Sequence, residues 1–296
     1  MGAFEMGERQ ERIAIVTDST ADVSDAELAE MGVECIHLTV HRADGSEFPR
    51  DNTPENIEAF YDYLQECDEL PTTSQPTPVE FGDLYSRLAL EGYTHVVSLH
   101  ISSAMSGTVG VARMAAQSSP IPVEVIDTHQ LTLSLMLIVR RIASLRDAGR
   151  TFVELVEHAR ALVGKVSICF MIDTLRNLVK GGRIGKATGI AGSLLDIKPL
   201  LTVDDDGEVA MMGIVKSAKK AIPKLVACAR ELSQRFGELE VCFAHNRRPE
   251  AAAALRDAFD AAGIPYREVG FRQTGPVITT HTHTGCFGFA YIPVKV

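Results

Sequence analysis

The sequence predicts an α/β protein of two domains. The N-terminal one is a three-layer α/β/α unit on a parallel sheet, and the C-terminal one is a two-layer α/β unit on a mixed sheet. Three observations carry this expectation. Between residues 13 and 149, apolar strand-like runs alternate with helical patterns, the order that builds a parallel sheet covered on both faces. In the second half, Asp204-Asp205-Asp206-Gly207 separates two alternating strands, and such a turn makes an antiparallel hairpin that breaks a purely parallel order. The 296 residues, 46% hydrophobic and 23% charged, suffice for two buried cores of ordinary size.

Element by element, Ile13 to Val16 reads as a buried strand, and Ser24-x-x-Glu27 is a capping box that opens a short helix ending at Gly32. A strand over Val33 to Val40 follows, then helices over Pro54 to Cys67 and Val79 to Gly92. Tyr93 to Ile101 and Pro122 to Ile126 are strands that flank a helix from Gly107 to Gln117, and Gln130 to Gly149 is a long helix. Thr151-x-x-Glu154 caps another helix that ends near Gly164, where the domain boundary is placed: 12–164 and 165–296, after a polar, disordered leader at 1–11. The second domain begins with a strand at Val166 to Ile172. It continues through a helix, the Gly181-Gly182-Arg183-Ile184-Gly185 run, and the hairpin of Pro199 to Val203 with Glu208 to Met212. Helices over Ala218 to Phe236 and Pro249 to Ala262, and strands at Leu239 to Ala244, Tyr266 to Val269, Val277 to Thr279 and Phe287 to Val294, complete the chain.

Charge and cysteines narrow the function. A net charge of -10 argues against a general nucleic-acid binder, whose affinity comes from Lys and Arg neutralising phosphates. The six cysteines contain no C-x-x-C pair, so neither a zinc ribbon nor a thioredoxin-like site is written here, and a reducing cytoplasm is the simplest setting. The most apolar stretch, Leu131 to Val139, ends at Arg140-Arg141 well short of a membrane span.

Three hydroxyl-rich segments carry the chemistry: 71–77 (Pro-Thr-Thr-Ser-Gln-Pro-Thr), 102–108 (Ser-Ser-Ala-Met-Ser-Gly-Thr) and 279–285 (Thr-Thr-His-Thr-His-Thr-Gly). No acidic residue interrupts them. Brought together, they would form a cage of hydroxyls, backbone N–H groups and imidazoles suited to an oxyanion. Each also has a plainer reading. Ser106 is placed to cap the following helix, and 71–77 has the composition of a turn. A nucleophilic serine lacks its G-x-S-x-G elbow. His281 and His283, two apart on an expected strand, share a face, yet no third metal ligand stands near them in sequence. Gly181-Gly182-Arg183 matches neither a phosphate loop nor a dinucleotide fingerprint and reads as a tight turn whose Arg ties the domains together. Lys216, Lys220 and Lys224 share a helix face if Pro223 does not break the register, as a docking stripe or simply a solvated one.

Taken together and in order, several segments resemble the DegV family of fatty-acid-binding proteins, the FakB subunits of bacterial fatty acid kinase. They are Val16-Thr17-Asp18-Ser19-Thr20, Thr72-Thr73-Ser74-Gln75-Pro76, Ser102 to Thr108, Leu175-Arg176-x-Leu178-x-Lys180-Gly181-Gly182-Arg183-Ile184, Lys198-Pro199-Leu200-Leu201 and Gly275 to Thr282. The resemblance implies a cytoplasmic protein with a ligand cavity between its domains that holds one long-chain fatty acid, whose carboxylate is bound by Thr72, Thr73, Ser103 and His281. It also implies an ATP-binding kinase subunit as partner, which phosphorylates the carboxylate to an acyl phosphate for phospholipid synthesis. On this reading the chain has no catalytic residue, cofactor or metal of its own. Three positions depart from the family pattern. His283 and Thr284 replace a Gly and a Pro, Lys216 replaces an Arg of the partner surface, and Met136 replaces a Gly beside the acyl tunnel, where with Leu133 and Leu137 it would shorten or bend the cavity. Two other functions remain open: a stand-alone kinase or hydrolase that holds phosphate in the hydroxyl loops, and a non-catalytic regulatory scaffold.

Overall fold

A computed structural model describes residues 11–190 and 197–295. The first half runs β1 (Ile13–Asp18), α1 (Asp25–Glu30), β2 (Val33–Ile36), β3 (Thr39–His41), α2 (Pro54–Glu66), β4 (Thr72–Ser74), α3 (Pro78–Leu90), β5 (His95–His100), α4 (Thr108–Ala116), β6 (Val123–Asp127), α5 (Thr132–Asp147) and α6 (Phe152–Leu162). The second half runs β7 (Ser167–Met171), α7 (Arg176–Lys180), β8 (Lys198–Val203), β9 (Val209–Val215), α8 (Ala218–Phe236), β10 (Leu239–His245), α9 (Pro249–Ala261), β11 (Tyr266–Gln273), α10 (Pro276–Thr282) and β12 (Phe287–Pro293). The expected leader lies outside the described residues except for Glu11, whose carboxylate accepts the Phe152 N–H at 2.7 Å.

Strands β2, β1, β5 and β6 form a parallel sheet in that order. Its strands are buried on both faces, as the layered reading requires. Ile13, Ile15, Val97 and Leu99 face a core shared with α1, α5 and α6, while Ala14, Val16 and Val96 face α3 and α4. The second sheet has the order β11-β10-β12-β7-β8-β9 and is mixed: β10 and β11 are parallel, and the other neighbours are antiparallel. One of its faces packs under α8 and α9 through Phe243, Phe259, Phe287 and Phe289. The other, with Ile168, Phe170, Ala290 and Ile292, joins the core of the first half.

Helix α5 lies between the two sheets, which explains its apolar sequence. Ten of its sixteen residues are buried, among them Leu133, Met136 and Leu137. No helix among the described residues is long and apolar enough to cross a membrane. Both capping boxes read from sequence form, at Ser24/Glu27 and at Thr151/Glu154. The expected boundary at 164/165 falls in the turn from α6 to β7.

Three expected elements differ in the structure. The strand expected over Val33 to Val40 divides into β2 and β3, because the chain leaves the parallel sheet after Ile36 and pairs antiparallel with β4. The 71–77 segment is therefore partly a strand rather than a loop. The expected strand Val277 to Thr279 is the helix α10. Its β-branched run reads as strand, but Pro276 occupies the first helical position, and the Thr280 and Thr282 hydroxyls donate to the carbonyls of Pro276 and Ile278 four residues back. The shared-face pairing of His281 with His283 fails with it. His283 stands past the helix end with φ 63.

Candidate functional site

Where the halves meet, a cavity of about 270 Å³ is walled by apolar side chains from both, including Leu38, Ile101 and Leu131 from the first and Phe170, Val203 and Ile278 from the second. Its polar wall consists of Thr73, Ser74, Gln75, Ser106, Arg183, His281 and Thr282. None of the described residues lining it is acidic. All three hydroxyl-rich segments thus contribute to one wall.

The segments are held there by specific contacts. Thr73 Oγ1 and His281 Nε2 lie 3.0 Å apart, joining the first segment to the third across 208 residues. Gly107 of the second packs on Gln75 of the first so closely that a Cβ would fall 2.2 Å from Oε1. Helix α10, which carries His281, is fixed from three sides. Tyr61 of α2 hydrogen-bonds Thr279 Oγ1 at 3.0 Å, Asn177 of α7 donates to Thr280 O at 3.1 Å, and Asn246 donates to Thr282 Oγ1 and His283 O, both at 2.8 Å. The imidazole packs against Gly181, where a Cβ would stand 2.4 Å from Nδ1. The glycine is there because the ring takes its side-chain space.

Arg183 completes this end of the cavity. Its Nε donates to Met105 O at 3.1 Å and its Nη1 to Gly181 O at 2.5 Å, so the guanidinium ties the second half to the 102–108 segment. The domain-tying role expected for it is present, but Arg183 also faces the cavity, which the sequence reading passed over. The signal was a cation between glycines; what chain order could not give was the approach of Met105 from 78 residues away. Burial pulls the His281 imidazole down to about 4, and the Arg183 charge pushes the same way. At neutral pH the polar end therefore holds a neutral imidazole, a guanidinium and several hydroxyls, a donor set for one anion.

The residues expected at the site are not all brought together. Thr73 and His281 are. Thr72 and Ser103 are exposed and outside the lining. Thr72 precedes Thr73 on β4, where successive side chains point to opposite faces. The Ser103 N–H donates to the Asp127 carboxylate at 3.2 Å. Leu133, Met136 and Leu137 pack in the hydrophobic core and are not among the residues that line the cavity. His283 is not in the lining either. Lys220 and Lys224 share a face of α8, which continues through Pro223, whereas Lys216 precedes that helix; all three line a separate surface groove of about 520 Å³.

A Ser-His-Asp chain also forms, unanticipated from sequence. Ser98 Oγ is 2.7 Å from His100 Nε2, and His100 Nδ1 is 3.0 Å from Asp18 Oδ2. All three residues are 0% exposed, and the Tyr85 hydroxyl sits 3.0 Å from Ser98 Oγ. With no path for a substrate, this is a structural tie between β1 and β5, where Asp18 also accepts the Ile101 N–H at 2.9 Å.

The family model described as "Uncharacterised protein, DegV family" matches residues 12–294. A DegV domain-containing protein of Deinococcus radiodurans is 38% identical over 284 residues, 96% of this chain and 99% of that protein. The structure of a fatty-acid-binding DegV family protein from Thermus thermophilus is similar with a TM-score of 0.87 at 35% identity, covering 96% of this chain and 100% of that one. A hypothetical protein from Thermotoga maritima with a fatty acid binding function is similar with a TM-score of 0.84 at 29% identity, again over 96% and 100%. By sequence over nearly its whole length, and by a fold that the two sheets reproduce, the chain belongs to the DegV family.

Proposed function

We propose that this protein binds a long-chain fatty acid, with its carboxylate at Thr73, His281 and Arg183 and its acyl chain among the apolar walls. One observation carries the reading. An apolar cavity at the junction of the halves ends in a neutral imidazole, a hydroxyl and a guanidinium, with no acid among its described lining residues. Energetics divide the work. Each methylene transferred from water is worth ~0.8 kcal/mol, so about fourteen give on the order of 11 kcal/mol before losses, and the tail supplies the affinity. Burying the carboxylate costs several kcal/mol, and each charge-assisted hydrogen bond returns about 1.5–3 kcal/mol, so about three donors bring the head to break-even. The head group sets register. Thr72 and Ser103, implied by family resemblance, belong in this proposal to the rim of the head-group site.

The finer role we propose is presentation: the bound carboxylate is offered in the cytoplasm to an ATP-binding kinase subunit that forms the acyl phosphate for phospholipid synthesis. The sequence supports this division, since it carries no Walker loop to position a nucleotide for phosphoryl transfer. The lysine-lined groove beside α8 offers an acidic partner a complementary surface. The test is denaturing extraction of the purified protein followed by lipid mass spectrometry. One fatty acid per chain, reduced by Thr73→Val or His281→Gln, is expected; lipid-free protein with no affinity for added fatty acid would sink the proposal. Phosphorylation of the bound acid by the lone protein with ATP would instead favour a stand-alone kinase.

A further inference from the structure

Strand β2 is an edge of the parallel sheet, and the extended chain at its end carries Cys35 and His37 on one face toward the first turn of α1. One donor atom from each of Asp25, Cys35 and His37 lies within 4.8 Å of the other two. His37 Nε2 is 3.1 Å from Asp25 Oδ2, with the two side chains 21% and 47% exposed, so these two groups are open to solvent while Cys35 packs against the core. The other ring nitrogen decides what this contact means. Nδ1 is 2.9 Å from the Arg50 carbonyl, which can only accept, so Nδ1 carries a proton and Nε2 is the nitrogen turned to the carboxylate. Two lone pairs facing each other need a proton or a cation between them. A histidine anchored to a backbone carbonyl through one nitrogen, with the other aimed at anionic donors, is how metal-binding imidazoles are oriented.

We propose that Asp25, Cys35 and His37 bind a divalent transition-metal ion of the zinc type, with water as the fourth ligand. A sulfur, a nitrogen and an oxygen donor suit a borderline ion, whereas calcium and magnesium take oxygen sets. Zinc bonds of about 2.0–2.3 Å place tetrahedral donors roughly 3.4 Å apart. The Asp25–His37 pair is already near that spacing, and closing the rest requires a contraction of at most about an ångström and a half. On binding, the Cys35 thiol gives its proton to solvent and its sulfur forms the metal bond. The ion would join the start of α1, the end of β2 and the Arg50 backbone. Leu38, the residue after His37, lines the fatty-acid cavity, but the metal site does not rest on that function.

The experiment is titration of the reduced, full-length protein with cobalt chloride. Expected is one equivalent per chain with a thiolate-to-cobalt charge-transfer absorption that one equivalent of zinc chloride removes. The band is absent from Cys35→Ser and His37→Ala, while Asp25→Asn lowers the affinity at least tenfold. A parent without the band overturns the proposal. So does a band that survives in Cys35→Ser, since it would belong to another thiol such as Cys169 or Cys228, whose sulfurs lie 3.3 Å apart. A second measurement needs no variant: zinc chloride is expected to protect Cys35 selectively from alkylation, read by peptide mass spectrometry, and unchanged alkylation counts against the site.

Discussion

Replacing His281 with Gln separates the titration of this imidazole from its packing, since the Gln amide can reach Thr73 much as Nε2 does. In the folded protein, burial and Arg183 hold the ring's pKa at about 4, against 6.5 in an unfolded chain. The sign follows from proton counts. Between pH 6.5 and 4 the unfolded chain binds the proton and the folded one does not, so the wild type loses stability as pH falls through that window. At about 1.4 kcal/mol per pH unit, moving from pH 7 to pH 5 costs the wild type roughly 2 kcal/mol that the Gln variant does not lose. Urea denaturation of delipidated protein at the two pH values measures this as a change in the wild-type-minus-variant difference. A difference equal at both would refute the buried, cation-facing placement of the ring. Loaded with fatty acid, the carboxylate beside the ring favours imidazolium, so the slope should shrink and binding should take up a proton below neutral pH. If lipid leaves the slope unchanged, the carboxylate does not sit at His281.

Arg183→Met keeps the apolar stem and removes the charge. We expect it to weaken fatty acid binding by roughly tenfold to a hundredfold, the worth of one charge-assisted contact, without weakening binding of the matching fatty alcohol; equal losses for both would show a packing role only. Gly181→Ala places a methyl 2.4 Å from His281 Nδ1 at an ordinary φ of -77, so it should displace the ring and lower stability by about 1–3 kcal/mol, and a melt raised as for a harmless Gly→Ala would contradict the close approach. Asp22 titrates in the opposite sense to His281. Burial pushes it up to about 7 while the Thr132 hydroxyl pulls back, so its contribution is lost as pH rises, and Asp22→Asn should gain about 2 kcal/mol on the wild type between pH 5 and pH 7, measured by the same denaturation. Met136→Gly opens space in the hydrophobic core and should shift the co-purified lipid toward longer or straighter chains, an idea that an unchanged lipid profile would remove.

What the sequence discloses, and what it hides, follows from the range of the interactions. Helix ends are local, and the boxes at Ser24/Glu27 and Thr151/Glu154 are legible because four residues contain all the partners. The α/β order and the hairpin at Asp204 to Gly207 are legible for the same reason. The sequence misleads at α10, where Val277, Ile278, Thr279 and Thr280 favour a strand locally and burial against α2 and α7 selects a helix. At the site, the hydroxyl segments announce an anion, but their facing is tertiary. Thr73 turns inward and Thr72 outward, and Arg183 becomes a cavity residue only because Met105 arrives beside it. The buried Ser98–His100–Asp18 chain and the Asp25–Cys35–His37 cluster likewise join residues that sequence spacing does not associate.

The position of α5 between the two sheets decides what a longer ligand would meet beyond the cavity lining. The N-terminal turns of α5 are covered on both sides, and Leu133, Met136 and Leu137 are at most 4% exposed beside a cavity they do not line. A longer ligand therefore meets packed core rather than open tunnel, and its extra methylenes gain burial only by displacing side chains that are already buried. Unbranched Met136 is the one of the three that can change rotamer with little loss, since a thioether tolerates many packings and the Leu side chains do not. On the proposed function, chain-length preference would arise from the stiffness of α5 against the two sheets, while the polar wall of Thr73, Arg183 and His281 would decide only that the ligand is an acid. Tail and head selectivity reside on different elements, so either can be changed by substitution without moving the other.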